Sequence, residues 1–262
     1  MLALWLQFVR VPAGYYWVGE RDHLRNPLRK VHLQAFEIGA TEVTNGQFAA
    51  FVKATGYKSD AERNGFGMTF QEGMDDWAWV PTRGADWRHP FGPGKPGIEN
   101  QHDFPVTQIS SDDARAYCRW AGGRLPTVEE WEVAGRAGRK RELAPEKGET
   151  PRYPWGDQWQ PGRANNWQGS HHRNELQDGY LYTCAVGQFP PNDWGLYDII
   201  GNVFEYCSDS TAPHQGVGRG GSWWCSQDTC NYYNLIDVGR MHRHGSLPNQ
   251  GFRMVRPAPD LR

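Results

Sequence analysis

The sequence has no long hydrophobic run and no large excess of charge of either sign. None of its segments stays apolar for the roughly 18 residues that a membrane-spanning helix requires, so we expect no transmembrane segment. The N-terminal residues lack the basic region and the small-residue cleavage site of a signal peptide. The formal net charge of -2 produces no global basic field. We therefore expect neither a membrane nor a nucleic acid as a partner.

Cysteine is also scarce, with five residues in a chain of 262. An odd number does not suit a complete disulfide framework, and a chain of this length can bury a sizeable core without cross-links. The cysteines therefore indicate a reducing compartment, in which thiols stay free or bind metal. We expect a cytoplasmic location and a monomeric state.

Glycine, proline and tryptophan are abundant by contrast, at 31, 18 and 13 residues. Because glycine and proline interrupt long elements, we expect short helices and strands joined by ordered loops. The many indole rings indicate that large side chains fill space that regular layers would otherwise occupy. No segment has the composition of a linker, so we predict a single domain over residues 1–262.

Three segments carry the signals of short helices. The first begins at Thr44, which forms a capping box with Gln47, and ends at Gly56. The second lies in SSDDARAYCRWAGG, where a serine cap precedes acidic residues and an apolar face. The third begins at Thr127, with Glu130 in the capping-box position.

Two N-terminal segments, FVRVPAGYYWVGE and KVHLQAFEIGATEV, alternate between apolar and polar residues as half-buried strands do. Most of the remaining chain has the composition of loops, roughly from residue 58 to 106 and from 139 to 182. Loops of this length are uncommon in a compact domain unless they are functional or held by a ligand.

Two of the five cysteines, Cys225 and Cys230, are separated by only four residues. Soft thiolates bind Cu(I), zinc or iron–sulfur clusters. No histidine or cysteine nearby completes a four-ligand zinc set at the usual spacing, so two thiolates alone fit Cu(I) best. A disulfide and a pair of structural thiols remain as alternatives on the spacing alone.

A series of longer phrases runs through nearly the whole chain. They include EVTNGQFAAFVKATGY, GADWRHPFGPG, AYCRWAGGRLPTVEEWEVAGRAG, NNWQG, FPPNDWGLYDIIGNVFEY, RGGSWWC and NQGFRMV. In content and order they resemble the formylglycine-generating enzyme (sulfatase-modifying factor) family. The resemblance implies a C-type-lectin-like α+β fold with low regular structure, in which a few short helices surround small antiparallel sheets. It also implies an oxidoreductase that uses O2 to convert a substrate cysteine into formylglycine.

The family's GGS-x-x-C-x-x-x-x-C pattern is similar to this chain residue by residue, and it implies that Cys225 and Cys230 hold Cu(I). Non-enzymatic relatives often keep only the second cysteine, so the presence of Cys225 favours an enzyme. The resemblance places Ser222 beside the metal, where its hydroxyl could orient oxygen or substrate; a turn hydrogen bond is the alternative role. Asn249 resembles an assisting asparagine of some relatives.

Two loops resemble the calcium sites of the family. Calcium takes about six to eight oxygen ligands and would explain how long loops stay ordered. The resemblance implies two ligand sets: the side chains of Asp198 and Glu205 with the carbonyls of Gly201 and Val203, and the side chains of Asn165 and Asp178 with the carbonyls of Asn166 and Tyr180. Asp198 stands where asparagine is more usual. Ordinary turn hydrogen bonds of asparagine and aspartate are the alternative.

The segment after Cys225 departs from the family. Arginines that the family carries after the second cysteine are replaced by Tyr232 and Asn234, and the loop between EYCSDS and RGGSW is short. Because these segments line the family's peptide groove, we expect a retained metal site with an altered substrate. Downstream, His242 and His244 could bind a metal or an anion if a strand places them on one face, or they could lie in a solvated loop.

Three hypotheses follow. The first is a copper-dependent, O2-using oxidase of the formylglycine-generating type that acts on a thiol of a peptide or small molecule. The second is a non-catalytic protein that displays a variable ligand-binding segment on the same fold, and the third is a family member that oxidises a natural-product intermediate. The first predicts sulfurs a few ångströms apart at the floor of an open cleft. The second predicts cysteine Cα atoms more than about 7 Å apart, or a disulfide.

Overall fold

The computed structural model describes residues 6–70, 78–138, 151–170, 173–226 and 230–259. Four short helices lie in these ranges: α1 (Asn45–Thr55), α2 (Asp60–Asn64), α3 (Ser111–Trp120) and α4 (Val128–Gly135). Each begins with a serine or threonine cap whose hydroxyl accepts the backbone N–H three residues on, and each has a reciprocal capping box. The three predicted helices are confirmed, and none of the helices in the described ranges could cross a membrane.

The strands are short and form small sheets. Their bounds are β1 (Phe8–Val11), β2 (Gly14–Val18), β3 (Arg29–Leu33), β4 (Phe36–Gly39), β5 (Phe66–Thr69), β6 (Val80–Arg83), β7 (Phe204–Ala212), β8 (Gln215–Arg219), β9 (Gly239–His242), β10 (Gln250–Gly251) and β11 (Val255–Pro257). One sheet has the order β1-β4-β11, another β10-β7-β8-β9, and β2-β3 and β5-β6 form separate pairs. All pairings are antiparallel except β10 with β7. The predicted α+β class with low regular structure is confirmed.

The prediction of a loop from residue 58 to 106 was too broad. Helix α2 and the hairpin β5-β6 both lie in it. Helix α2 has only five residues, which is too short for an apolar period to reveal, although Ser59 and Glu62 form its capping box. In residues 151–170 and 173–182 the structure shows no helix or strand, as expected, while residues 71–77, 139–150 and 171–172 of the predicted loops lie outside the described ranges.

Large rings fill the core between these elements. Trp131, Trp167 and Trp223 are almost completely buried, and Trp167 and Trp223 lie with ring centroids 6.5 Å apart. The core also contains charge: Arg253 is fully buried and donates to both carboxylate oxygens of Glu205 at 2.6 Å. Because a buried ion pair must have good geometry to persist, it fixes the start of β7 against the segment before β11. The segments that this ion pair holds together lie next to the candidate site.

Candidate metal centre

Cys225 and Cys230 lie next to each other, in the segment that follows β8. A disulfide joins them, with their Cα atoms 4.4 Å apart, and both side chains are buried. The disulfide is what the binding-protein hypothesis predicts, whereas the oxidase hypothesis predicts the closeness of the sulfurs but also an open cleft above them. Cys225 is wholly buried, so in the described part of the chain it does not lie at the floor of an open cleft.

The turn before the first cysteine depends on glycine. Gly221 has a φ of 72°, and a Cβ on it would lie 2.6 Å from the Cα of Tyr233. A side chain there would therefore collide with the backbone that follows Cys230, apart from the strain of the left-handed conformation. The GGS turn thus brings the segments of the two cysteines into contact.

Ser222 and Asn249 complete the group of residues predicted around the sulfurs. The Ser222 hydroxyl accepts a hydrogen bond from the Asn249 side-chain amide at 3.1 Å and lies 3.8 Å from the Cys225 sulfur. Among the described residues, the Asn249 Oδ1 has no hydrogen-bond partner although it is buried. A buried acceptor without a donor costs about 1–3 kcal/mol, so this oxygen is suited to accept from a ligand.

The donor set fits copper once the sulfurs are reduced. Two buried thiolates on adjacent chain segments are the soft ligands that Cu(I) prefers. The other cysteines, Cys118, Cys184 and Cys207, are free and buried, and burial raises the pKa of each thiol above its usual range. They therefore stay protonated at neutral pH in the absence of a metal ion.

The first predicted calcium loop contains buried carboxylates. Asp198 Oδ2 accepts the Gly187 N–H at 2.5 Å, but its Oδ1 has no partner among the described residues. Glu205, in contrast, accepts from Arg253 at both oxygens and from the Trp131 indole at 2.7 Å. Carboxylate oxygens have lone pairs beyond those used here, so Glu205 can still act as a ligand. The residues of this loop fit a hard cation.

Sequence reasoning missed Glu42, a third carboxylate beside this loop. Glu42 is fully buried just after β4; its Oε1 accepts from Asn202 at 3.0 Å, and its Oε2 has no partner among the described residues. Burial, followed by the charge of Asp198, raises the pKa of Glu42 well above its usual range. Burial likewise raises the pKa of Asp198 to about 6. The signal in the sequence was an acid between Thr41 and Val43, directly after an apolar strand.

The second predicted calcium loop lies against the first. The Asn202 N–H donates to the Asn165 carbonyl at 2.8 Å, and Asn165 Oδ1 has no partner among the described residues. Asp178 accepts the Asn166 N–H at 2.9 Å and the Tyr180 N–H at 2.9 Å. Asp178 therefore closes a turn, its alternative role, and keeps lone pairs for a cation. The orphaned amide oxygen of Asn165 makes this loop fit calcium too.

Both loops form backbone hydrogen bonds with the segment that contains Trp223 and Cys225. The Trp167 N–H donates to the Cys225 carbonyl at 3.0 Å, and the Trp223 N–H donates to the Asn202 carbonyl at 3.0 Å. The position of Cys225 therefore depends on the order of loops that are not themselves helix or strand. A cation that orders the loops would also order the sulfur site.

The contact between the loops supplies a test of this dependence. Gly201 has a φ of 81°, and a Cβ on it would lie 2.2 Å from the Asn165 carbonyl oxygen. Gly201→Ala is therefore expected to lower the free energy of unfolding by about 2–4 kcal/mol, measured by urea denaturation. Gly94→Ala is the matched control, because Gly94 also has a φ of 81° but nothing within 4 Å. Equal losses in the two variants would mean that the conformation matters and the loop contact does not.

The segment after Cys230 differs from the expected groove lining. Asn234 is buried, and its Oδ1 accepts the backbone N–H groups of Ile236 and Asp237 at 2.8 Å. Asn234 thus stabilises a turn and does not face a ligand. Tyr232 is half-buried and packs on the Phe204 ring at 6.2 Å.

A cavity of about 240 Å³ lies near the site. Its lining includes Pro90, Phe91, Tyr182 and Pro248, and in the described chain no lining side chain is charged. The Pro248 carbonyl accepts from the Trp223 indole at 3.1 Å, so the cavity begins one residue from Asn249. It is the candidate entry for a substrate.

The chain is similar to known proteins over nearly its whole length. The family described as sulfatase-modifying factor enzyme 1-like domain matches residues 5–258. The formylglycine-generating enzyme of Streptomyces coelicolor is 38% identical over 95% of this chain and 89% of its own length. The inactive C-alpha-formylglycine-generating enzyme 2 of Bos taurus is 39% identical over 97% of this chain and 89% of its own. Overall identity therefore does not separate active from inactive relatives.

Solved structures share the fold. PvdO from Pseudomonas aeruginosa matches with a TM-score of 0.68 at 22% identity, covering 96% of this chain and 94% of its own. Treponema denticola variable protein 1 matches with a TM-score of 0.66 at 20% identity, covering 96% and 95%. At such identities the likeness concerns the fold alone, and the predicted C-type-lectin-like fold is confirmed.

Proposed function

Since the chain belongs to the sulfatase-modifying factor enzyme 1-like family, we propose that it is a copper-dependent oxidase of the formylglycine-generating type. The observation that carries the proposal is the buried pair Cys225 and Cys230, with Ser222 and Asn249 beside it. Relatives that are named formylglycine-generating enzymes and relatives named inactive are about equally similar to it. The proposal of an active enzyme therefore rests on the site residues and not on the overall sequence identity.

Cys225 and Cys230 would hold Cu(I) as thiolates. Reduction of the disulfide by two electrons must come first, because each sulfur has to be a thiolate to bind the metal. Copper(I), when bound, supplies a one-electron donor for O2 next to the substrate thiol. The protein contributes two soft ligands in a buried setting, which keeps the thiolates from water.

Ser222 and Asn249 would orient the substrate. The Asn249 amide fixes the Ser222 hydroxyl at 3.8 Å from the Cys225 sulfur. The free Asn249 Oδ1 would accept an N–H or O–H of the substrate, which satisfies a buried acceptor. Both groups thus act by positioning, and neither has to change its charge.

Aromatic side chains would exclude water from the sulfurs. Trp224 is buried beside Cys225 and lies 5.7 Å from the Phe70 ring and 5.5 Å from the Trp79 ring, between centroids. Trp223 is also buried, and its ring packs against Tyr182 at 5.0 Å between centroids. A dry site strengthens the electrostatic interactions within it and prevents side reactions.

We infer that the substrate is a thiol with neutral surroundings, in a peptide or a small molecule. The cavity that begins beside Asn249 is lined by prolines, aromatic rings and uncharged polar groups. A substrate with a charged neighbour, such as the arginine of the sulfatase motif, would meet no charged side chain among the described residues of the cavity lining.

The test is O2 consumption by reduced protein loaded with one equivalent of Cu(I). Cysteine peptides with neutral flanks, a Cys-x-Pro-x-Arg peptide and small thiols are compared, and an aminooxy probe detects the aldehyde product by mass. We expect thiol-dependent O2 uptake and an aldehyde, fastest with neutral peptides. Uptake no faster than with free Cu(I), together with retained peptide binding, would favour the display-protein hypothesis.

Calcium in the two loops forms part of the proposal. The unpartnered oxygens of Glu42, Asp198 and Asn165, all acceptors and all buried, support it. The proposed ligands of the second site are those that the sequence predicts, and Glu42 would add a neighbouring charge to the first. The cytoplasmic location and the monomeric state stay predictions.

A further inference from the structure

Two exposed histidines lie close together at the end of the β10-β7-β8-β9 sheet where the β7-β8 hairpin turns. His214 lies in the two-residue turn of the β7-β8 hairpin, and His244 follows β9. The His214 Nδ1 and the His244 Nε2 are 3.4 Å apart. Of the two alternatives for His242 and His244, the structure shows the loop, because β9 ends at His242 and the His242 Nδ1 accepts the His244 N–H at 3.3 Å.

Asp112, at the start of α3, orients His244. Its Oδ2 lies 3.1 Å from the His244 Nδ1, which therefore carries a proton towards the carboxylate. In the neutral ring the other nitrogen, Nε2, then has a free lone pair, and that lone pair is directed at His214. Carboxylate–imidazole pairs of this kind fix the tautomer of histidines that bind metals.

The distance suits a metal better than a hydrogen bond. Two ligand nitrogens about 2.0–2.1 Å from a tetrahedral zinc ion lie about 3.3–3.4 Å apart. An N–H···N hydrogen bond of 3.4 Å would be a long and weak one, since even N–H···O bonds usually end at about 3.2 Å and a nitrogen acceptor adds little to that length. His214 has a φ of 68°, in the left-handed region, which histidine enters more readily than most non-glycine residues do.

The carboxylates of the same region are a weaker alternative. Asp60, Asp112 and His244 offer atoms within 4.8 Å of one another. Arg63 pairs with Asp60 at 2.5 Å, however, and Arg243 pairs with Asp112 at 2.8 Å. These guanidinium groups neutralise the charge of both acids. A cation is therefore bound more favourably by the Nε2 of His244, on the side of the ring away from Asp112.

We propose that His214 and His244 form a surface site for a divalent transition-metal ion such as Zn(II), oriented by Asp112. Imidazole nitrogens select zinc, nickel or copper(II) over calcium and magnesium. Two protein ligands leave positions for water or for a ligand from outside. The ion would join the β7-β8 hairpin to the turn after β9. This histidine site shares no residue with the Cys225–Cys230 site.

Isothermal titration of the full chain with zinc chloride tests the site, in non-reducing buffer that keeps Cys225 and Cys230 as a disulfide. The wild type is expected to bind one equivalent. His214→Asn, which tolerates the positive φ, and His244→Gln are each expected to lower the affinity more than about tenfold, because each removes a ligand. Asp112→Asn is expected to lower it by about 10–100-fold while both imidazoles remain.

The matched control is His32→Gln. His32 is exposed and packs on the Tyr15 ring, far along the chain from both ligands, so its loss should leave the titration unchanged. Thermal melts of all variants without zinc establish that they are folded. The proposal is overturned if the wild type binds no zinc at millimolar concentration, or if folded His214→Asn and His32→Gln bind it equally.

Discussion

Replacing Cys225 with alanine is expected to abolish both tight Cu(I) binding and thiol-dependent O2 uptake. A single remaining thiolate at Cys230 cannot give Cu(I) the two soft ligands that the paired site offers. The loss of affinity should exceed the roughly 10–100-fold that removal of an outer-shell partner costs a metal site. Competition with a coloured Cu(I) chelator measures it on protein that has first been reduced.

Cys207→Ala is the matched control for this variant. Cys207 is a buried, free thiol in β7 and is not part of the Cys225–Cys230 pair, so its removal should leave copper binding intact. Cys230→Ala should behave as Cys225→Ala does, because the two sulfurs are adjacent. If Cys225→Ala and Cys207→Ala bind copper with equal affinity, the oxidase proposal fails and the pair is a structural disulfide.

Local sequence signals predicted the helices well. Thr44 with Gln47 and Thr127 with Glu130 form the capping boxes that mark α1 and α4, and each box uses groups only three residues apart. Such signals need no knowledge of the rest of the chain. The strands β7, β8 and β9 were not predicted. In β8 the residues follow no alternation, because Gly216, Val217 and Gly218 are all buried, and β9 alternates over only four residues.

The candidate site was predicted in part, and only with the help of a family resemblance. Cys225, Ser222 and Asn249 lie within 27 residues and do come together. Contacts between segments that are far apart in the chain could not be predicted from the sequence. Glu42 is 160 residues from its partner Asn202, and no periodic pattern connects residues so far apart. Long-range pairs of this kind depend on the topology of the whole fold.

Calcium is expected to stabilise the protein strongly at pH 7.5 and only weakly at pH 5. Burial raises the pKa of Asp198 to about 6, and burial with the charge of Asp198 raises the pKa of Glu42. In the unfolded chain both acids ionise near their ordinary values of about 4. The calcium-free protein therefore loses stability as the pH rises from about 4 through 6, because the folded state holds protons that the unfolded state has released.

A calcium ion replaces those protons with positive charge, so its effect should grow over the same pH range. Melting temperatures are measured from pH 5 to 7.5 with calcium chloride and with EGTA. Their difference at each pH is the stabilisation by calcium. At pH 7.5 Asp198→Asn should raise the melting temperature in EGTA and shrink the calcium effect, since it removes one buried charge. Asp22→Asn, which changes an exposed acid, should alter neither value. A calcium effect that is independent of pH, or unchanged in Asp198→Asn, would place the ion away from Glu42 and Asp198.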